Sequence, residues 1–347
     1  MARNEPLIEI VIPNWNGKRF LQGCLDSLSQ QTCRHFSVTV VDNGSTDGSV
    51  ALLERDFPAV KVLRFPENRG FSMAVNAGIE QSVAPWILLL NNDMEVEQSC
   101  LAALERSIEQ YQGYDFFALK MLNFHQRALL DGAGDGALRG GVGYRLGTME
   151  AAGPPYDTDR DVFGACAGAA LYRRDFFTRV GLFDNDFFAY LEDVDLNMRA
   201  GRIGCRCRFL ASAIVYHIGS ATSGSKINPL TIRLSTRNNL NVLVKNYPFS
   251  LIFKYLPVIC LYQAAWLFFV LKKKMFFPYL QGLLQFFKQM PQMMAKRRKG
   301  YAYQLSPKEF GKILCQSERD VITSIMARRR AEGKNNLLLQ IYWKLFL

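Results

Sequence analysis

Four short apolar, β-branched runs mark the first hundred residues: IEIVIPN (8–14), SVTVVDN (37–43), VKVLRF (60–65) and WILLLNND (86–93). Each closes on turn-forming or polar residues, as strands do. Between them the spacing changes to that of a helix. RFLQGCLDSLSQQ places Leu21, Cys24, Leu25 and Leu28 on one face, and FSMAVNAGIEQSV and QSCLAALERSIEQY have similar spacing. Strands alternating with helices predict a mainly parallel, doubly wound sheet. Ligands of such sheets bind beyond the carboxyl ends of the strands, so the polar residues there become the candidates.

Further along, the pattern loosens. Residues 125–165 are rich in Gly and keep no sustained period, which predicts a long loop or flap. From RRDFFTRVGLFDNDFFAYLEDVDLNMRAG the chain reads as helical again, and CRCRFL and AIVYHIG read as two strands. After about residue 226, dense aromatics alternate with lysine clusters; the longest uninterrupted apolar run, Tyr255 to Leu271, includes Pro257 and Gln263. A run of that length is at the short limit for spanning a bilayer, so a helix lying in the membrane interface is expected.

Charge sharpens this division. The net charge is +11, but residues 226–347 hold 21 Lys and Arg against 4 Asp and Glu, leaving 21 against 27 for residues 1–225. The basic character therefore belongs to the C-terminal region. An anionic membrane surface is the expected partner and nucleic acid is not, because no nucleic-acid-binding signature accompanies the charge. Eight cysteines without a C-x-x-C pair suit a reducing compartment. No signal-peptide pattern is visible, because the start runs straight into a strand-like segment, and the catalytic part is expected to face the cytoplasm.

Several polar residues stand where chemistry is expected. Asp42 closes the second run and could accept a ring or ribose hydrogen bond from a nucleotide. Asp93 follows the fourth run, where a divalent cation sharing phosphate oxygens commonly sits. His217 ends a strand-like run with Gly and Ser behind it and could share a metal site with a carboxylate. FAYLEDVDLNMR gathers Glu192, Asp193 and Asp195 at a helix start. Capping explains one or two acids there, not three. Neither G-x-G-x-x-G after the first strand nor G-x-x-x-x-G-K-[ST] occurs, which removes the main supports for dehydrogenase and P-loop readings.

VIPNWNG, VVDNGSTDGS, ENRGFSMAVNAGI, LLLNND, VGLFDNDFFAYLEDVDLNMR and YHIGS occur in this order over residues 8–219. With them the chain resembles a family 2 glycosyltransferase of the GT-A fold, in the rhamnosyltransferase-like branch of bacterial surface polysaccharide assembly. The resemblance implies an α/β GT-A domain at 1–225, with a nucleotide-sugar half (1–120) and an acceptor and catalytic half (121–225); the helical membrane-associating region expected at 226–347 from its charge and aromatics lies outside it. It implies inverting transfer from a nucleoside diphosphate sugar (dTDP or UDP; dTDP-rhamnose first) to a lipid-linked or glycan hydroxyl, assisted by Mg2+ or Mn2+.

Carried over by residue, the resemblance implies donor binding by Pro13, Asn14, Asn16, Asp42, Asn43, Asn68, Gly70, Asn76 and Asn92, with Asp42 on the base. Asp93 would bind metal, Asp193 would be the catalytic base, and Glu192 would orient the acceptor. Asn91 stands where the familiar D-x-D has its first Asp, which gives His217 more weight as a second ligand. Asp195 is left for the helix start. The expected location is peripheral, on the inner face of the cell membrane. The rivals are a non-catalytic sugar-binding module and a glycoside hydrolase using Glu192 and Asp193; for the hydrolase, adjacent residues on one helical turn project to different faces rather than flanking one bond.

Overall fold

The computed structural model describes residues 5–219, 227–299 and 303–347. Ser220 to Ser225, with the boundary expected at 225 and 226, lie outside the described residues. The first part of the chain runs β1 (Ile8–Asn14), α1 (Lys18–Ser29), β2 (Phe36–Asn43), α2 (Ser49–Asp56), β3 (Lys61–Phe65), α3 (Phe71–Gln81), β4 (Trp86–Leu90), β5 (Met94–Val96) and α4 (Cys100–Gln110). Then come β6 (Phe116–Asn123), β7 (Leu130–Ala133), β8 (Asp135–Leu138), β9 (Val142–Arg145), β10 (Arg160–Val162), β11 (Ala169–Arg173), α5 (Arg174–Val180), α6 (Glu192–Arg202) and β12 (Cys207–His217). Among the described residues five helices follow: α7 (Pro229–Asn246), α8 (Phe249–Lys272), α9 (Phe276–Lys299), α10 (Pro307–Ala331) and α11 (Leu337–Phe346).

One large sheet has the order β10-β12-β6-β11-β4-β1-β2-β3, with β5 and β7 attached at its side. β3, β2, β1 and β4 run parallel, β11 is inserted antiparallel between β4 and β6, and β12 runs parallel to β6. β1 is buried almost throughout, as a central strand covered on both faces must be. Alternation separates its faces: Ile8, Ile10 and Ile12 enter one core with Leu21, Leu25 and Leu28 of α1, while Val11 enters the other with Ala74 and Val75 of α3. Each fully buried Leu or Ile contributes about 1.5–3 kcal/mol. β3, at the sheet edge, exposes Lys61 and Arg64, charges that discourage further strand pairing.

Two expectations are corrected. The Gly-rich segment 125–165 forms four short strands rather than a loose flap, and β8 and β9 pair as a separate hairpin. Strands of three or four residues are too short to show a period. Their glycines serve close packing: a Cβ at Gly132 would lie 2.3 Å from Arg145 Cδ, and one at Gly164 2.3 Å from Asn197 Cγ. The two strands expected at 205–219 are one strand, β12, whose register with β6 slips between Leu210 and Ile214.

The C-terminal helices pack on the catalytic side. Val242 and Leu243 of α7, Tyr247 just after it, Leu251 and Tyr255 of α8, and Phe310 and Leu314 of α10 share a core with Ala137, Phe187, Val194 and Met198. The basic, aromatic stretch expected at 253–300 divides into α8 and α9 around Lys274, a non-glycine residue at φ 57°.

Candidate active site

The cleft beyond the strand ends measures about 1210 Å³. That is large for a single small ligand and suits two substrates together. Of the residues expected from sequence, Pro13, Asn14, Asn43, Asn68, Gly70, Asn92, Asp93, Glu192, Asp193 and His217 line it. Asn16, Asp42 and Asn76 do not.

Hydrogen bonding explains these three placements. Asn92 Nδ2 donates to Asn14 Oδ1 at 2.7 Å, and Asn14 Nδ2 donates to Asp42 Oδ1 at 3.1 Å. The other Asp42 oxygen accepts from the Ser45 backbone N–H at 3.1 Å, so Asp42 stands behind Asn14 as the end of a polar chain. Asn16 uses its side-chain oxygen to hold the Thr46 N–H at 2.8 Å. Asn76 Nδ2 donates to the Phe183 carbonyl (2.8 Å) and its oxygen accepts from the Phe183 N–H (3.0 Å), tying α3 to the segment before α6.

At the strand ends, His217 Nε2 lies 3.4 Å from Asp93 Oδ2. Two donor atoms each about 2.1 Å from one cation, at roughly a right angle, stand about 3 Å apart, so this pair fits a shared Mg2+ or Mn2+. The other ring nitrogen, Nδ1, lies 2.6 Å from Asp131 Oδ2. A carboxylate on the far nitrogen fixes the ring's orientation and tautomer, as it does for metal-ligating histidines. Burial opposes a charge on His217, but the bonds to Asp131 and Asp93 outweigh it and hold the imidazole above its ordinary value. Asp131 also pairs with Arg145 Nη1.

Asp193 and Glu192 open α6 from the end of an unusual loop. Phe188, Tyr190 and Leu191 all have φ between 64° and 67°, a region that non-glycine residues seldom occupy. Such strain persists only where the surroundings hold it. Here Asn238 Nδ2 lies 3.0, 3.0 and 2.7 Å from the carbonyls of Phe187, Ala189 and Tyr190, and Arg237 Nη2 donates to Phe187 O at 2.6 Å. From the donor side, the Phe71 N–H reaches the Phe188 carbonyl at 2.7 Å. Gly70 permits the approach, since a Cβ there would lie 2.6 Å from that carbonyl oxygen.

The carboxyls here share one buried, charged neighbourhood. Burial, then Asp193, pushes Glu192 up to about 8, and its Oε2 has no hydrogen-bond partner. Burial also raises Asp193, against the Val194 N–H and Arg145, which lower it. Asp193 Oδ1 accepts that N–H at 2.8 Å. Asp135 is pushed up to about 7, first by burial and then by Asp193. The cluster can therefore accept and hold protons near neutral pH.

Asp195 has a different role from the helix start expected of it. It is fully buried, with Lys245 Nζ at 2.8 Å, Arg199 Nη2 at 2.9 Å and Asn246 Nδ2 donating at 2.9 Å. Lys245 also meets Asp184 at 2.7 Å, so this aspartate joins α6 to α7. A buried cation is satisfied best by a buried carboxylate, and the third acid of the cluster serves that need.

Asp131, Asp135 and Arg145 of the β7 to β9 segment, and Arg237 and Asn238 of α7, were missed by sequence reasoning. The signal for the first two was present in DGAGD, two aspartates four apart among glycines.

Residues 9–181 match Glycosyl transferase family 2. The N-acetylglucosaminyl-diphospho-decaprenol L-rhamnosyltransferase of Mycobacterium tuberculosis is 28% identical over 240 residues, covering 63% of this chain and 78% of that one. The PGL/p-HBAD biosynthesis glycosyltransferase of Mycobacterium bovis is 28% identical over 200 residues, covering 56% and 69%. Among solved structures, GalNAc-T7 with UDP, GalNAc and Mn2+ superposes with a TM-score of 0.55 at 17% identity, over 70% of this chain and 49% of that one. S. aureus TarS 1-349 superposes with a TM-score of 0.50 at 15% identity, over 94% and 92%. These structures share the GT-A fold, with its mostly parallel central sheet. With the family match and that fold, the chain belongs to the family 2 glycosyltransferases, and a rhamnosyltransferase is among its relatives.

Proposed function

We propose that this glycosyltransferase moves a sugar, rhamnose from dTDP-rhamnose first, from a nucleoside diphosphate donor to a hydroxyl of a lipid-linked glycan acceptor, with inversion. The observation that carries the reading is the division of one cleft: Asp93 and His217 meet at the strand ends, while Asp193 and Glu192 enter from the start of α6. An inverting displacement needs a base facing the leaving group across the anomeric carbon. Asp193 takes the proton of the acceptor hydroxyl as its oxygen bonds to that carbon. The bond to the diphosphate breaks and the diphosphate keeps the electron pair. Glu192, held protonated by burial, is able to donate a hydrogen bond to the acceptor. A divalent cation on Asp93 and His217, Mg2+ or Mn2+, would offset charge on the departing diphosphate.

The Mycobacterium tuberculosis relative is named for rhamnose transfer and for a lipid diphosphate acceptor, which supports the choice of substrates. A lipid-linked acceptor suits the membrane's cytoplasmic face, where the basic C-terminal region would hold the enzyme peripherally. Thermal unfolding with a panel of nucleotide sugars tests the donor, because a ligand bound only by the folded state raises its stability. dTDP-rhamnose with Mn2+ should raise the midpoint more than UDP-sugars do, and less without the metal. A panel with no effect in either condition overturns the reading.

A further inference from the structure

The wall of the cleft built by α7 and α9 carries Arg233, Arg237 and Gln285, none of which serves the reaction described above. Arg233 and Arg237 are four residues apart on α7 and share one face. Arg237 is only 7% exposed; its Nε donates to Asn238 Oδ1 at 2.8 Å. Among the described residues neither guanidinium has a carboxylate within 4.0 Å. Other arginines do: buried Arg139 meets Glu318, buried Arg199 meets Asp195, and the partly buried Arg145 meets Asp131. Arg202 lacks an acid but stacks on Tyr303 outside the cleft.

Two like charges on one face of a helix cost stability. Burial, then Arg233, lowers Arg237 to about 10, with Asp186 acting the other way, so it remains a cation at neutral pH. Arg233 Nε is buried without a hydrogen-bond partner, and so is Gln285 Oε1. An anion in the cleft would relieve the repulsion and take up the free donor, and guanidinium groups suit phosphate oxygens.

We propose that Arg233 and Arg237 bind the diphosphate of a lipid-linked acceptor, with Gln285 accepting a hydrogen bond from the acceptor's sugar. The proposal rests on the glycosyltransferase reading above. The surroundings favour the acceptor's diphosphate over the donor's. Asn14, Asn43 and Asn68 of the donor side stand at the ends of β1 and β2 and before α3, none of them on α7 or α9. On α9, Phe277, Leu280, Leu284 and Phe287 form a stripe at helical spacing that brackets Gln285, and they are 68%, 39%, 61% and 60% exposed. A headgroup at the arginines would leave its apolar chain on that stripe.

The test uses farnesyl diphosphate as probe, with farnesol as the uncharged control, titrated into the full-length protein in detergent. Farnesyl diphosphate should bind and farnesol should bind at least tenfold more weakly. Arg233→Ala should weaken farnesyl diphosphate at least tenfold and leave dTDP with Mn2+ within twofold, while Arg233→Lys restores part of the loss. Because Arg237 also holds Phe187, it is tested as Arg237→Lys, with the unfolding midpoint as the check on folding. Unchanged farnesyl diphosphate binding in Arg233→Ala overturns the proposal. An equal loss of dTDP binding also overturns it, by giving the pair to the donor. The glycosyltransferase reading fails separately, through absence of nucleotide-sugar binding in a protein that still shows Arg233-dependent binding of farnesyl diphosphate.

Discussion

His217 Nδ1 and Asp131 Oδ2 stand 2.6 Å apart, and this contact turns the other ring nitrogen toward Asp93. Asp131 touches neither substrate nor metal in the proposed reaction, so it acts by positioning the ring. Asp131→Asn should reduce Mn2+ affinity roughly ten- to hundredfold, the usual cost of losing such a partner. Binding of Mn2+ followed by electron paramagnetic resonance reads this without turnover. Unchanged affinity would remove His217 from the metal site.

Asp193→Asn tests the base. Turnover should fall about a hundredfold or more while dTDP binding is kept. Because burial raises Asp193, wild-type turnover should climb with pH through the range, above that of an ordinary aspartate, in which this carboxyl gives up its proton. Near-normal turnover in the variant, or a rate flat over that range, would reject the assignment.

Asp135 makes a prediction about stability. Folding raises it to about 7, so the folded carboxyl holds its proton more tightly than the unfolded one. Its contribution to stability is therefore fully present below the unfolded value, near pH 4, and is lost as pH rises toward 7. Asp135→Asn removes the penalty of a buried charge. The variant should be more stable than wild type above pH 7, by about 2 to 4 kcal/mol, with the gain disappearing below pH 4. Urea unfolding at pH 4 and pH 8 checks it, and a gain of equal size at both would contradict the linkage.

Asp195 separates a cap from a buried ion pair. Removing a cap costs about 1 kcal/mol, whereas stranding buried cations costs about 3 to 5 kcal/mol. With Lys245 and Arg199 both on this carboxylate, Asp195→Ala should show the larger loss in urea unfolding. A loss near the smaller value would return Asp195 to the helix start.

What was legible in the sequence follows from length scale. β1, β2 and β4 are long apolar runs ending in polar residues, so Asn14, Asn43 and Asp93 were found at the mouth of the sheet. Asp131 and Arg145 were not. Their strands are four residues long, and their relation to His217 spans 86 and 72 positions of chain, which no local period reports. Asn238 escaped for another reason: its amide is satisfied by backbone carbonyls of a strained loop, and neither strain nor carbonyl direction is visible in residue types.

The membrane prediction gains a geometric basis from α8. It is the one described helix long and apolar enough to cross a membrane, yet Gln263 Nε2 donates to Asn239 at 2.5 Å and Trp266 Nε1 to Thr236 at 2.9 Å, both on α7. One face is thereby docked on the protein. Phe253, Leu256, Phe268 and Leu271 remain exposed. A helix with one side engaged and the other apolar suits the interface plane better than the bilayer interior. Exposed Lys272 ends it and exposed Lys273 and Lys274 follow, and each basic residue near an anionic leaflet contributes about 1 kcal/mol. The full-length protein should therefore float with anionic vesicles and be partly released by high salt. Phe253→Ser with Phe268→Ser should abolish flotation and leave dTDP binding intact, because neither residue lines the cleft. Truncation near residue 225 is a poor substitute, since it removes Lys245 from Asp195 and Asn238 from the loop before α6. Retention on vesicles through alkaline carbonate would instead mark α8 as inserted, and absence of flotation would leave its apolar face to a protein partner.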